Sequence, residues 1–228
     1  MNLEKNDKKI EETFKELIAI IEQIQNEDLR KVAIKIFKDN KEKITNRSAM
    51  PDCFKNGEYV RGGHHFLKGG LLDHLLNVTK ISLNIAKLYK GIDTDIVIFG
   101  ACLHDIGKII TINEWNENGK LKSPSNTRAD LLEHTYYGVN IVSEYLDKYS
   151  NINDLLKQQA LHIIASHMSK DIGAFTENCM IEAMIVAEAD DLDSKIEPIL
   201  YNFSSLQNEE IRYYDDNLKR NIYKYRSM

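Results

Sequence analysis

Ala101-Cys102-Leu103-His104-Asp105-Ile106-Gly107-Lys108 sets a histidine and an aspartate side by side in an otherwise apolar run. Taking either side chain out of water is costly unless something pairs with it. A bound metal ion is the commonest such partner. All seven histidines lie between His64 and His167, with none in the first 63 or last 61 residues. Histidines scattered over a surface would not be confined in this way.

The flanks of this run are helical in pattern. Thr94 to Asp105 reads as one helix, with Asp93 or Thr94 as its cap and Gly107 as its stop. Upstream, Leu71 to Tyr89 reads as another, ended by Gly91. Ile10, Phe14, Leu17, Ile18 and Ile21 follow the spacing of an amphipathic helix, as do Leu29, Val32, Ala33, Ile36 and Phe37, with Asp28 as cap. Downstream, helices are expected over Ala129 to Tyr149 and Asn153 to Ser169. Another should run from Glu177 to about Lys195, capped by Thr176 and interrupted at Pro198. A last, polar helix should reach roughly Tyr225. Residues 45 to 70 hold Pro51 and five glycines, and 111 to 128 hold Gly119 and Pro124, so both read as loops. No alternating strand pattern and no repeat stands out. The expected class is all-α, a helical bundle with a metal site at its centre. The expected division is a helical extension over 1–44, a main domain over 45–203 and a C-terminal helix over 204–228.

Composition limits the partners. With 43% hydrophobic residues the chain can build a sizeable core, and a net charge of −5 gives no global attraction to nucleic acid. Three scattered cysteines without a CxxC fit a reduced, cytoplasmic protein rather than a zinc ribbon. No apolar run is long enough for a membrane span. The amphipathic helices at the N-terminus allow a homodimer.

The polar residues fall one per helix. His74 lies in the first turn of its helix, His104-Asp105 close theirs, and His134, His167 and the Asp190-Asp191-Asp193 group each lie on a further helix. The steps from His74 to His104 and from His104 to His134 are both 30 residues, one helix plus a connection. Metal sites in helical bundles are assembled in this way. Neighbouring helical residues diverge by about 100°, so His104 and Asp105 serve one centre only at a helix end, which Gly107 supplies. Asp105, with two oxygens, suits a bridge between two ions. Imidazole and carboxylate donors favour Mn2+ or Fe2+, with Mg2+, Co2+, Zn2+ and Ni2+ as alternatives. His162 lies five residues before His167, about 140° away around the helix, and does not easily share an ion with it.

Gly69-Gly70-Leu71-Leu72-Asp73-His74, His104-Asp105-Ile106-Gly107-Lys108, His134, His167 and Ala189-Asp190, in that order, resemble the HD superfamily of metal-dependent phosphohydrolases. The closest resemblance is to the HD domain of YhaM-type 3′–5′ exoribonucleases. It rests on His64-His65 ten residues before His74, on the helix from His162 to Ser166-His167, and on Ala189 to Lys195. Two departures stand out. The short helical region before residue 45 is too small for the oligonucleotide-binding β-domain of those enzymes. Ser166-His167-Met168-Ser169 replaces their Ser-His-His-Gly.

The resemblance implies that His74, His104, Asp105 and Asp190 hold one ion, and that His134 and His167 hold a second ion bridged by Asp105. It implies hydrolysis of a phosphoester of a nucleotide or short oligoribonucleotide by a metal-activated water. Asp105 and Lys108 are the expected catalytic residues, and Lys108, Arg61, His64 and His65 the expected phosphate contacts. Some relatives in the superfamily hold two irons with the same ligand types and activate O2. A non-catalytic nucleotide-sensing or assembly module is the third reading.

Overall fold

The computed structural model describes residues 7–50, 53–55, 58–60, 63–112, 114, 131–168, 175–205 and 211–224. Its helices are α1 (Asp7–Ile21), α2 (Glu27–Asp39), α3 (Lys41–Thr45), α4 (Gly70–Ala86), α5 (Thr94–Leu103), α6 (Lys108–Thr111), α7 (His134–Tyr149), α8 (Asp154–Ser166) and α9 (Ile181–Ser205). Two short antiparallel hairpins complete it: β1 (Cys53–Lys55) with β2 (Glu58–Val60), and β3 (Arg212–Asp215) with β4 (Arg220–Tyr223). The chain is an all-α bundle with a cluster of histidines and aspartates at its centre.

Side-chain caps start three of the helices. Asn26 accepts the N–H groups of Asp28 and Leu29, Asp93 those of Asp95 and Ile96, and Asn153 that of Leu156. Asn26, not Asp28, thus caps α2. Asp95 then ties the α1–α2 turn to α5 by accepting the N–H groups of Gln25 and Asn26 at 2.9 and 2.8 Å.

The apolar stripes read from the sequence face one continuous core. Leu17, Ile21, Leu29, Val32, Ile36 and Phe37 are buried with Leu71, Leu75, Phe99, Leu103 and Ile163. Full burial of such a side chain contributes about 1.5–3 kcal/mol. The stripes of α1 and α2 are therefore buried inside the fold. Gly100 lets α5 and α8 approach closely, since a Cβ there would lie 2.6 Å from Ile163 Cδ1.

Four local expectations are corrected. Residues 45–70 contain the β1–β2 hairpin, so they are not all loop. The helix expected over Ala129 to Tyr149 starts at His134, which places this histidine in its first turn rather than a turn and a half in. The helix of Asp190 begins at Ile181, not at Glu177, and continues through Pro198 to Ser205. Proline removes one backbone donor, and the helix runs on through it. The helix expected to reach Tyr225 is instead the β3–β4 hairpin, with Arg212 opposite Tyr223 and Asp215 opposite Arg220. Asp215 accepts the N–H groups of Asn217 and Leu218, and Lys219 takes a φ of 51°, which closes the turn. Beyond Thr111, Ile112 and Glu114, the loop expected over 111–128 lies outside the described residues.

Candidate metal centre

The helix end expected at His104 is present. α5 ends at Leu103, His104 is its C-cap, and α6 starts at Lys108. Between them the chain turns tightly, with the Lys108 N–H donating to the Asp105 carbonyl at 2.9 Å. The turn projects His104 and Asp105 to the same side. His167 is likewise the C-cap of α8, and close packing of α5 on α8 brings their two C-cap imidazoles to a centroid distance of 5.0 Å.

Asp105 is fully buried at the focus of four imidazoles. Its Oδ2 lies 3.3 Å from His74 Nε2 and 3.5 Å from His104 Nε2. Its Oδ1 lies 3.2 Å from His134 Nε2 and 3.6 Å from His167 Nε2. The two oxygens thus serve two separate pairs. Within the pairs, the Nε2 atoms are 3.2 Å apart for His74 and His104 and 3.4 Å apart for His134 and His167. Asp190 joins the first pair, with Oδ1 3.0 Å from His74 Nε2 and 3.8 Å from His104 Nε2. Asp191 points elsewhere, paired with Lys195.

Outer partners fix which nitrogen of each ring faces inward. His104 Nδ1 lies 2.8 Å from the Ala101 carbonyl, and His167 Nδ1 lies 2.8 Å from the Ile164 carbonyl. A carbonyl only accepts, so both Nδ1 atoms carry a proton, and the neutral form of each ring presents its Nε2 lone pair inward. His74 Nδ1 lies 2.8 Å from Asp193 Oδ2. His134 has the loosest support, with the exposed Glu133 carboxylate 3.8 Å from its Nδ1.

The centre is thus built mainly of lone pairs that converge, and these repel unless positive charge stands among them. Among the described residues, neither oxygen of Asp105 receives a well-directed hydrogen bond. The Lys108 ammonium lies 2.6 Å from Oδ2. Burial acts to raise the Asp105 carboxyl, but Lys108 and the surrounding imidazoles hold it well below the ordinary range. Burial pushes the His104 imidazole down to about 4. It acts the same way on His74, but the carboxylates of Asp105, Asp190 and Asp193 around the ring prevail and hold that imidazole well above its ordinary value. The residues therefore fit divalent metal ions: buried nitrogen and carboxylate donors, their inward faces fixed, and unsatisfied carboxylate oxygens at the focus.

The remaining expected residues divide. His64 comes to the centre, its ring 4.8 Å from that of His74 and its buried Nε2 without a hydrogen-bond partner among the described residues. Burial pushes its imidazole down to about 2. His65 faces Asp193 at 2.8 Å instead. Arg61 lies outside the described residues. His162 is apart from the centre and accepts the Cys179 N–H at 3.1 Å. Asp193 follows Asp190 on the same helix. Its offset of three residues, one helical turn, was the available sign that both carboxylates could face the same imidazole.

A helical bundle that focuses four imidazoles and two carboxylates from separate helices defines a divalent-metal protein. The HD domain family matches residues 71–195, more than half of the chain, and the chain belongs to that family. Members of it are mostly metal-dependent hydrolases. No solved structure matches the chain. No helix among the described residues is long and apolar enough to cross a membrane.

Proposed function

We propose that this protein is a phosphohydrolase that cleaves a phosphoester of a nucleotide or short oligoribonucleotide, using one or two divalent ions. The observation that carries the reading is Asp105, whose two buried oxygens each face a different pair of imidazole nitrogens. In this reading His74, His104, Asp105 and Asp190 would hold one ion, and His134, His167 and Asp105 would hold a second. Mn2+ or Fe2+ suits these donors best. Bound ions of this kind acidify a water molecule and draw charge from phosphoryl oxygens.

The chain supplies the rest. The side chain of Lys108, 12% exposed and beside Asp105, donates to a phosphoryl oxygen as a positive point charge. His64 Nε2 gives the same phosphate a hydrogen bond, which satisfies a buried polar atom that otherwise has none. Within the family we place the chain nearest the YhaM-type exoribonucleases, on the strength of His64-His65 and Ala189 to Lys195. That placement favours a phosphodiester in a short oligoribonucleotide.

The test is a screen of Mn2+-supplemented protein against nucleoside mono- and triphosphates, cyclic dinucleotides and 3′-labelled oligoribonucleotides. The expected result is turnover of at least one phosphoester, abolished in Asp105→Ala at unchanged helicity. Absence of turnover, together with a mixed-valence iron signal and O2 uptake, would replace the hydrolase with an oxygenase. Intact biological function in Asp105→Ala would replace it with a sensing or assembly module.

A further inference from the structure

One helix holds both edges of the His74 ring. Asp190 Oδ1 lies 3.0 Å from Nε2, and Asp193 Oδ2 lies 2.8 Å from Nδ1. The two carboxylates have different surroundings. Asp190 is close to His104 as well as to His74. Asp193 sits behind the ring, 4% exposed, and receives three short contacts from side chains: His74 Nδ1 at 2.8 Å, His65 Nε2 at 2.8 Å and Asn77 Nδ2 at 3.0 Å. An ionised carboxylate only accepts, so all three must donate. His74 therefore carries a proton on Nδ1, and its Nε2 is the atom left for the centre.

His65 is itself held from several sides. Its φ of 46° lies in the left-handed region, which few non-glycine residues adopt. Its N–H donates to Glu197 Oε2 at 2.9 Å, and its carbonyl accepts the Ala49 N–H at 3.1 Å. A Cβ on Gly70 would lie 1.8 Å from that same carbonyl oxygen, so the segment fits only against a bare helix start. Strained backbone of this kind persists where its surroundings over-determine it. The turn sends the two adjacent histidines to different sides of His74. His64 lies against its ring, and His65 reaches the carboxylate behind it.

We propose that Asp193 and His65 are positioning residues of the metal centre, forming a relay His65–Asp193–His74 that fixes the tautomer of His74 and strengthens its Nε2 as a donor. The proposal rests on the reading of the central cluster as a metal site. Among the four imidazoles at Asp105, His74 is the one with a buried carboxylate behind it. Among the described residues, His104 and His167 have carbonyls there, and His134 has an exposed carboxylate at 3.8 Å. The ion beside His74 is accordingly the more tightly held. The relay also removes His65 from direct contact with substrate, since its Nε2–H is committed to Asp193.

The test uses Co2+ as probe on the full chain, with affinity by calorimetry and ligand geometry by the visible spectrum of the bound ion. Asp193→Asn and His65→Leu are expected to weaken the tightest Co2+ binding step about 10–100-fold, the usual cost of losing an orienting partner, and to alter the spectrum. His65→Gln, which keeps an N–H for Asp193, is expected to restore affinity to within about threefold of the original chain. Original affinity and spectrum in Asp193→Asn and His65→Leu, whatever their melting temperatures, would overturn the relay. So would equal weakening by His65→Leu and His65→Gln. If Asp193→Asn does not fold, the comparison of the two His65 variants decides. An original chain that binds no Co2+ overturns the metal-centre reading itself, whereas one that binds Co2+ but hydrolyses nothing overturns the hydrolase reading and leaves the relay standing.

Discussion

Gly107 packs so closely against His134 that a methyl group on it would lie 1.9 Å from the His134 carbonyl oxygen. The obstacle is backbone, and the Gly138 N–H of the same helix is only 2.6 Å from the same point. This contact seats the start of α7 on the turn that carries Asp105. Gly107→Ala should therefore push α7 away and separate His134 from Asp105. The expected result is a stability loss of at least about 1–3 kcal/mol, typical of overpacking, with a lower metal content. Thermal melts and metal content of the purified variant check both.

His167 and His162 give a matched comparison on one helix. His167→Ala removes an imidazole that faces Asp105 Oδ1 and should lower hydrolysis at least about 100-fold, on the scale of losing one electrostatic contact to the reaction. His162→Ala removes only the acceptor for the Cys179 N–H. It should cost about 1 kcal/mol of stability and leave turnover within about twofold. Steady-state rates for the two variants under one metal concentration are the measurement.

Lys108 and a metal ion draw on the same carboxylate oxygen, since the ammonium lies 2.6 Å from Asp105 Oδ2. Lys108→Met should destabilise the metal-free chain by about 3–5 kcal/mol, because it leaves a buried charge without its partner. A bound cation replaces the lost charge, so the melting temperature should rise more on Mn2+ addition in the variant than in the original chain. Hydrolysis should fall in both kcat and kcat/KM. An unchanged metal-induced shift would show that Lys108 and the ion do not share Asp105.

Metal uptake should release protons. His74 is held well above its ordinary value in the metal-free chain, which favours a second proton on Nε2 while Nδ1–H is bound to Asp193. An ion at Nε2 must displace that proton. Below the raised pKa of His74 the proton competes, so apparent affinity should rise with pH, by up to about tenfold per unit for each proton displaced. Affinity should stop rising once His74 is neutral without metal. Calorimetry in buffers of different ionisation enthalpy counts the protons directly.

Much of this arrangement was legible before any coordinates. The helical spacing of Ile10 to Ile21 and of Leu29 to Phe37 marked stripes that the fold buries. The adjacency of His104 and Asp105 required a helix end, and α5 ends at Leu103. Other features depend on contacts that one sequence does not display. His64 and His65 look equivalent in the chain, yet a single left-handed φ sends one to the centre and the other to Asp193. The end of the chain was misread because its polar residues masked a strand pattern. Tyr213, Tyr214, Ile222 and Tyr223 are strand formers, and Asp215-Asp216-Asn217 between them is a turn signal.

The most direct test of the account is a metal titration of chelator-treated protein, followed as hydrolysis of bis(p-nitrophenyl) phosphate. The account expects no turnover without metal, a rise as Mn2+ or Fe2+ is added, and saturation at no more than two ions per chain, all absent in Asp105→Ala. Turnover that is independent of added metal, or a fully metal-loaded chain that cleaves no phosphoester, would contradict it.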